Sequence, residues 1–359
     1  MDLPVMPPLK PMLAKARPAV PDQSEPPADP TWLYEPKWDG FRCIVFRDGD
    51  EVLLGSRSLK PLDRYFPEVA SAVRAELPER IVLDTELVVP RQIDGRTRLD
   101  WDSLSQRIHP AASRVSMLSE QTPAQLIAFD CLALGDTSLL ERPLRERRAT
   151  LESVFETGRA AAADALGTDG RSVHLSVATT DAGTARGWFS TFEGAGLDGV
   201  VAKRLDGTYR PDQRDLVKVK HHRTADCVVI GYRKHKNLDG IGSLLLGLHD
   251  GERIRMVGGA SAFTTAVRKE LLDRLQSYRV GSDVTQAAEP NRWNQREDHS
   301  FVPLRPELVV EVEYDQMEGD RLRHAGRVLR WRTDKDPGQC GYDQLEVPVS
   351  YDLADVLAR

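Results

Sequence analysis

Cysteine is scarce along this chain and never clustered. Cys43, Cys131, Cys227 and Cys340 stand far apart with no C-x-x-C among them. That spacing argues against a disulfide framework, a zinc ribbon and a dithiol redox centre, and leaves reduced core thiols as the expectation. No run of about 18 apolar residues is present, and the proline-rich start lacks the apolar core of a signal peptide. A cytoplasmic protein with no membrane segment is therefore expected. An excess of positive charge is missing too, since 49 Lys and Arg face 55 Asp and Glu for a net charge of -6. Phosphate binding rests on Lys and Arg, so nucleic acid could be held only where basic residues concentrate. Two stretches do so: Lys203 to Lys236 has ten basic residues against four Asp, and Arg321 to Asp336 has six against two. With 359 residues, 40% of them hydrophobic, the chain can bury a sizeable core in two or three domains.

What is present centres on Lys37-Trp38-Asp39-Gly40-Phe41-Arg42. A lysine is a nucleophile only when neutral, so desolvation or neighbouring positive charge must lower its pKa. Gly40 would let the backbone approach a bulky anion, and Arg42 could grip a phosphate or sugar oxygen. Phe41–Phe46, the turn at Asp48-Gly49-Asp50 and Glu51–Leu54 predict a β-hairpin that sets Lys37 just before its first strand. Phe66, Val69, Val73 and Leu77 at helical spacing predict a helix over 65–77, and Asp100 to Ile108 a short amphipathic segment, with an irregular stretch from there to Thr122. Ile81 to Val89 reads as a buried strand on which Asp84 and Glu86 point to one side. Buried acids are costly unless paired, so these two either meet a cation or line a cleft. Gln125 to Ala133 is a further strand in which Phe129, taken alone, is core. Asp181 is placed to cap a helix that carries Trp188 and Phe192 and stops at Gly194. Lys218 and Lys220 share one face of the strand Leu216–Lys220, where two ammonium groups suit a phosphate and would lower the pKa of a nearby Lys37. The adjacent His221 and His222 point oppositely on a strand and so make a poor metal pair. After residue 226, strands at 227–232, 243–248, 252–257 and 308–314, a helix carrying Val267, Leu271, Leu272 and Leu275, and a polar loop to Ser300 fit a five-stranded OB barrel. Residues 1–30 are expected to be extended or loop, and the alanine-rich 158–171 carries no signal.

Lys37 to Arg42 resembles the adenylation motif K-x-D-G-x-R of the covalent nucleotidyltransferases, which comprise ATP-dependent DNA ligases, RNA ligases and mRNA capping enzymes. Leu9–Ala14 and Glu35-Pro36 resemble the small bacterial ATP-dependent DNA ligases. Further family motifs are matched in order: Ser56-Arg57; Asp84-Thr85-Glu86, with Thr85 in place of glycine; Phe129-Asp130; Leu197 to Lys203, with Asp198 in place of glutamate; Lys218-Val219-Lys220; and R-x-D-K at Arg332 to Lys335. Phe301–Leu308 and Glu318–His324 are similar to the bacterial end-joining type. The resemblance implies an α+β fold: a nucleotidyltransferase domain of antiparallel sheets and helices over 1–222, then an OB β-barrel domain over 223–359, hinged near 221–226.

It also implies an activity. ATP-dependent sealing of 3′-OH/5′-phosphate nicks in double-stranded DNA would run through a lysyl-AMP on Lys37 and a DNA-adenylate, in DNA repair. By resemblance Glu35 and Phe129 hold the adenine, Arg42 and Glu86 the ribose, Arg57 a phosphate, and Lys203, Lys218 and Lys220 the nucleotide and its α-phosphate. Arg332, Asp334 and Lys335 face the leaving pyrophosphate, and Glu86 and Asp198 hold Mg²⁺ or Mn²⁺. Asp198 is one methylene shorter than the usual glutamate, so metal contact through water is one consequence. A monomer acting at the nucleoid, with a Ku-like protein or a polymerase as repair partner, is the expected setting. A GTP-using capping enzyme and a non-enzymatic DNA-end-binding protein remain the alternatives.

Overall fold

The computed structural model describes residues 1–23, 31–93, 95–109, 111–161, 171–281, 286–287, 300–345 and 351–357. The chain divides into two units, Met1–Lys220 with Pro348–Arg359, and His221–Val347. In the first, β1 (Ala14–Ala16), β2 (Trp32–Pro36), β8 (Val200–Arg204) and β9 (Leu216–Val219) form a sheet in the order β1-β9-β8-β2. A second sheet runs β7-β6-β5-β3-β4 through β3 (Phe41–Asp48), β4 (Glu51–Ser56), β5 (Arg80–Val88), β6 (Gln125–Leu134) and β7 (Val173–Leu175).

The β3–β4 hairpin closes where Asp48 faces Glu51, around Gly49 at φ 60°. That left-handed turn favours glycine. Apolar residues fill both faces of the second sheet. Cys43, Val45, Leu83 and Leu87 pack on one side with Phe66, Val69 and Val73, while Ile44, Phe46, Val82 and Leu132 pack on the other with Leu3, Val5 and Tyr209. Each such side chain contributes roughly 1.5–3 kcal/mol. A sheet covered on both faces explains why Ile81–Leu83 and Leu87–Val88 of β5 are apolar on either side of Asp84-Thr85-Glu86.

The helix expected over 65–77 spans Pro67–Glu76. Asp181 caps its helix, with Thr184 N–H donating at 2.6 Å, and the helix Ala182–Thr191 passes through one 3₁₀ turn to Gly196 at φ 88°, two residues beyond the expected stop. The supposed irregular stretch before Thr122 contains a helix, Ala112–Gln121, which buries only Val115 and Leu118. Two apolar contacts amid serines give too weak a period to read.

In the second unit, β10 (Arg223–Lys234), β11 (Ile241–Asp250), β12 (Arg253–Ala260), β13 (Val309–Tyr314) and β14 (Arg327–Trp331) pair antiparallel along β12-β11-β10-β13-β14. The helix Thr265–Leu275 lies in sequence between β12 and β13, in the OB order. The expected barrel needs one correction. Among the described residues no ladder joins β12 to β14; a single parallel bridge, Ala260 to Gly326, links the two edges. The polar loop before Ser300 lies largely outside the described residues, as do residues 24–30 of the N-terminal stretch.

The last described helix, Leu353–Leu357, was expected with the second domain, yet it packs on the first unit. Leu353 and Val356 are buried with Trp188 and Phe192, and Tyr351 meets the Phe192 ring at 5.1 Å. Replacing Val356 by Asp buries an unpaired charge there, so we expect a loss of about 3 kcal/mol and a transition lowered by roughly 5–10 °C. Thermal unfolding checks this, and an unmoved transition would mean that the helix contributes nothing to the first unit.

Candidate active site

Lys37 follows β2 directly, and its backbone is strapped to the start of β8. Its N–H donates to the Gly199 carbonyl at 2.8 Å and its carbonyl accepts from Asp198 N–H at 3.0 Å. Gly199 has φ 131°, and a Cβ there would lie 2.0 Å from the Val219 carbonyl oxygen, so only glycine fits between β8 and β9. This strap sets Asp198 against the lysine. Lys37 Nζ is 2.6 Å from Asp198 Oδ2, and Lys220 Nζ is 3.2 Å from the same oxygen.

The electrostatics depart from the expectation for Lys37. Burial pulls its pKa down, but the Asp198 charge and hydrogen bond outweigh burial and the net shift is upward. The amine is thus held as an ammonium by Asp198. Asp198 responds in kind: burial would raise its pKa, yet Lys37 and Lys220 bring it below the ordinary value. Lys218 is the lowered one, through burial and then the charges of Lys220 and Lys37.

Asp84 and Glu86, the two acids on β5, have separated. Asp84 meets a cation: Arg42 donates to both its oxygens at 2.5 and 2.7 Å, and Tyr209 O–H donates at 2.6 Å. Burial opposes the charge on Arg42, but Asp84 more than offsets it, so its pKa rises. Glu86 lines the cleft, where burial pushes its carboxyl up to about 7 against the pull of Arg42 and Lys37. Thr85, at the family's glycine position, donates its hydroxyl to the Cys43 carbonyl at 2.8 Å, which satisfies that hydroxyl inside the sheet. Gly40 serves close backbone packing rather than an anion: a Cβ there would stand 2.2 Å from the Leu87 carbonyl oxygen, and its N–H donates to Glu86 at 3.1 Å.

A cleft of about 260 Å³ gathers Glu35, Lys37, Arg42, Arg57, Glu86, Phe129, Lys203, Lys218 and Lys220. Phe129 has Lys203 Nζ and the Arg42 guanidinium each 4.4 Å from its ring centre. Lys203 also pairs with Glu35 at 2.6 Å and donates to the Phe129 carbonyl at 3.1 Å. Sequence reasoning overlooked Arg148 and Arg214, and gave Met12, inside the Leu9–Ala14 resemblance, no role. Arg148 pairs with Glu35 at 3.1 Å, and Met12 and Arg214 line the cleft. No local pattern marks the two arginines, because each reaches the site from a distant segment.

Arg332, Asp334 and Lys335 belong to the second unit, with Asp226 on β10 as their overlooked hub. Arg332 donates twice to Asp226 at 3.0 Å and to Asp334 at 2.9 and 3.0 Å, and Lys335 lies 3.6 Å from Asp226. The Arg332 hydrogen bond holds Asp334 down to about 2. His222 pairs with Glu313 at 2.9 Å.

Among the described residues no group of three or more His, Cys, Asp or Glu is placed to hold a metal. Mg²⁺ commonly takes one or two carboxylates and completes its shell with water and substrate phosphates. Glu86 lines the cleft and Asp198 meets Lys37 and Lys220 of its lining, so two separate carboxylates fit that donor set.

The chain belongs to the ATP-dependent DNA ligases: the family model "ATP dependent DNA ligase domain" matches residues 11–220, and "ATP dependent DNA ligase C terminal region" matches 237–335. It is 56% identical to DNA ligase C1 of Mycolicibacterium smegmatis and 51% identical to DNA ligase C of Mycobacterium tuberculosis, with 99% of each chain covered in both cases. A solved Lig E DNA ligase shares the fold at a TM-score of 0.52 and 15% identity, over 90% of this chain and 99% of that one. Among the described residues no helix is long and apolar enough to cross a membrane.

Proposed function

We propose that this ligase seals 3′-OH/5′-phosphate nicks in double-stranded DNA through a lysyl-AMP on Lys37, with residue roles as the motifs suggest. The observation that carries this reading is that Lys37 and Lys220 share the Asp198 carboxylate and line one cleft with Glu35, Glu86, Phe129, Lys203 and Lys218. Lys37 Nζ, once it has lost its proton, attacks the α-phosphorus of ATP, and pyrophosphate leaves in line. Glu35 and Phe129 orient the adenine, Arg42 and Glu86 the ribose, and Lys218 and Lys220 the α-phosphate, while Arg57 serves a phosphate. Arg332, Asp334 and Lys335 act on the departing pyrophosphate. Asp198 and Glu86 would hold Mg²⁺ or Mn²⁺, which when bound supplies positive charge to the phosphates. AMP then passes to the 5′-phosphate of the nick, and the 3′-hydroxyl displaces it.

Residues 1–222 and 223–345 serve as adenylation and OB domains, and the protein works as a monomer in the cytoplasm at the nucleoid, in repair, beside a Ku-like protein or a polymerase. DNA as substrate supports that location. Incubation with α-labelled ATP or GTP and a divalent metal tests the nucleotide site. Acid-labile label on the protein from ATP and not from GTP is expected. Label from GTP alone would move the case to a capping-type enzyme, and no label after pyrophosphate treatment would favour an end-binding protein.

A further inference from the structure

Glu35 is 2% exposed, and a buried carboxylate is tolerated only when paired. Each of its oxygens meets a different cation: Oε1 accepts from Arg148 Nη1 at 3.1 Å, and Oε2 pairs with Lys203 Nζ at 2.6 Å. Arg148, on the helix Leu144–Ala161, is itself immobilised. Its Nε donates to Glu152 at 2.6 Å and its Nη2 to the Ser176 carbonyl at 2.8 Å, while Ser176 Oγ accepts from Trp38 Nε1 at 2.9 Å. A planar guanidinium with three sites engaged holds its carboxylate in one orientation, which a lysine could not do.

We propose that Arg148 is a positioning residue for nucleobase selection, acting through Glu35. The inference rests on the reading that Glu35 faces the base. A carboxylate that meets a cation at each oxygen is presented as a hydrogen-bond acceptor and keeps unfilled lone pairs. Since Glu35 also lines the cleft, the ligand edge that meets it must bring N–H groups. An exocyclic amine on the six-membered ring, as in adenine, satisfies that demand. A carbonyl oxygen at the same position, as in guanine, sets lone pair against lone pair. Arg148 thereby fixes both the direction and the acceptor character of the group that reads the base.

The test compares self-labelling kinetics of Arg148→Met, Glu35→Gln and the double variant with α-labelled ATP and GTP, with urea unfolding as the fold control. For Arg148→Met we expect KM for ATP to rise about tenfold or more with kcat within about threefold, and the ATP-over-GTP ratio to fall about tenfold or more. The double variant should lose little beyond Glu35→Gln, because both act on one contact. If Arg148→Met does not fold, Arg148→Gln takes its place, since it can still donate to the Ser176 carbonyl but brings no charge to Glu35. Unchanged KM and selectivity in a folded Arg148 variant, with both lost in Glu35→Gln, would overturn the role of Arg148 alone. Unchanged selectivity in Glu35→Gln would remove Glu35 from the base, and the inference with it. A loss confined to kcat, or additive losses in the double variant, would assign Arg148 to another task.

Discussion

Lys37→Ala is expected to abolish covalent labelling by ATP and to lower nick sealing by about four orders of magnitude or more, since the nucleophile of the first step is gone. Sealing of a nick that already carries the 5′-adenylate should survive within about tenfold, because its nucleophile is the DNA 3′-hydroxyl. A second substitution separates the nucleophile from the ion pair it makes. Arg at position 37 keeps a cation near Asp198, yet a guanidinium is not deprotonated in proteins and cannot attack phosphorus. Lys37→Arg should therefore be as inactive in labelling as Lys37→Ala. Since Lys37 lies 2.6 Å from Asp198, it should also retain more of the parent's stability. Quantified label per mole of protein and gel-resolved sealing of both nicks measure these effects. Residual labelling of either variant at more than a per cent of the parent would place the covalent adduct on another residue.

The second large effect concerns the R-x-D-K segment. Arg332→Ala is expected to lower self-adenylation by roughly 10²–10³-fold, the range typical of a lost charge-stabilising donor, while sealing of a preadenylated nick falls less than about tenfold. The asymmetry follows from chemistry: pyrophosphate departs only in the first step. Asp226 offers a way to displace this arginine without deleting it. Two contacts of 3.0 Å tie it to Arg332, and Lys335 stands 3.6 Å away, so one carboxylate sets both cations. Asp226→Asn keeps the volume and removes the charge, and about tenfold slower labelling is expected for it. Single-turnover rates for the two steps make the comparison. Equal losses in both would assign Arg332 to DNA contact or to folding.

Much of the chemistry was legible because it is written locally. Glycine at 49 marks a turn, the short apolar run Cys43–Phe46 before it marks a strand, and the motif spacings named Lys37, Glu86, Phe129, Lys203, Lys218 and Lys220, which one cleft collects. Charge partnership was less legible. Asp84 and Glu86 look equivalent two residues apart, yet one is paired with Arg42 and hydrogen-bonded by Tyr209 and the other opens into the cleft. The lysine expected to be driven toward neutrality is held charged, because the neighbour that dominates it is Asp198 rather than Lys218.

Sequence by itself determined the strongly patterned elements, their order and the residue types available for adenylyl transfer, since period, turn chemistry and motif spacing are properties of neighbours along the chain. Tertiary structure alone decided who pairs with whom. Arg148 reaches Glu35 across 113 positions and Lys37 reaches Asp198 across 161, and the last helix returns to the first unit to cover Phe192. Such contacts arise when buried charges must be matched and apolar faces covered by whatever the folded chain brings near, and no local pattern carries that information.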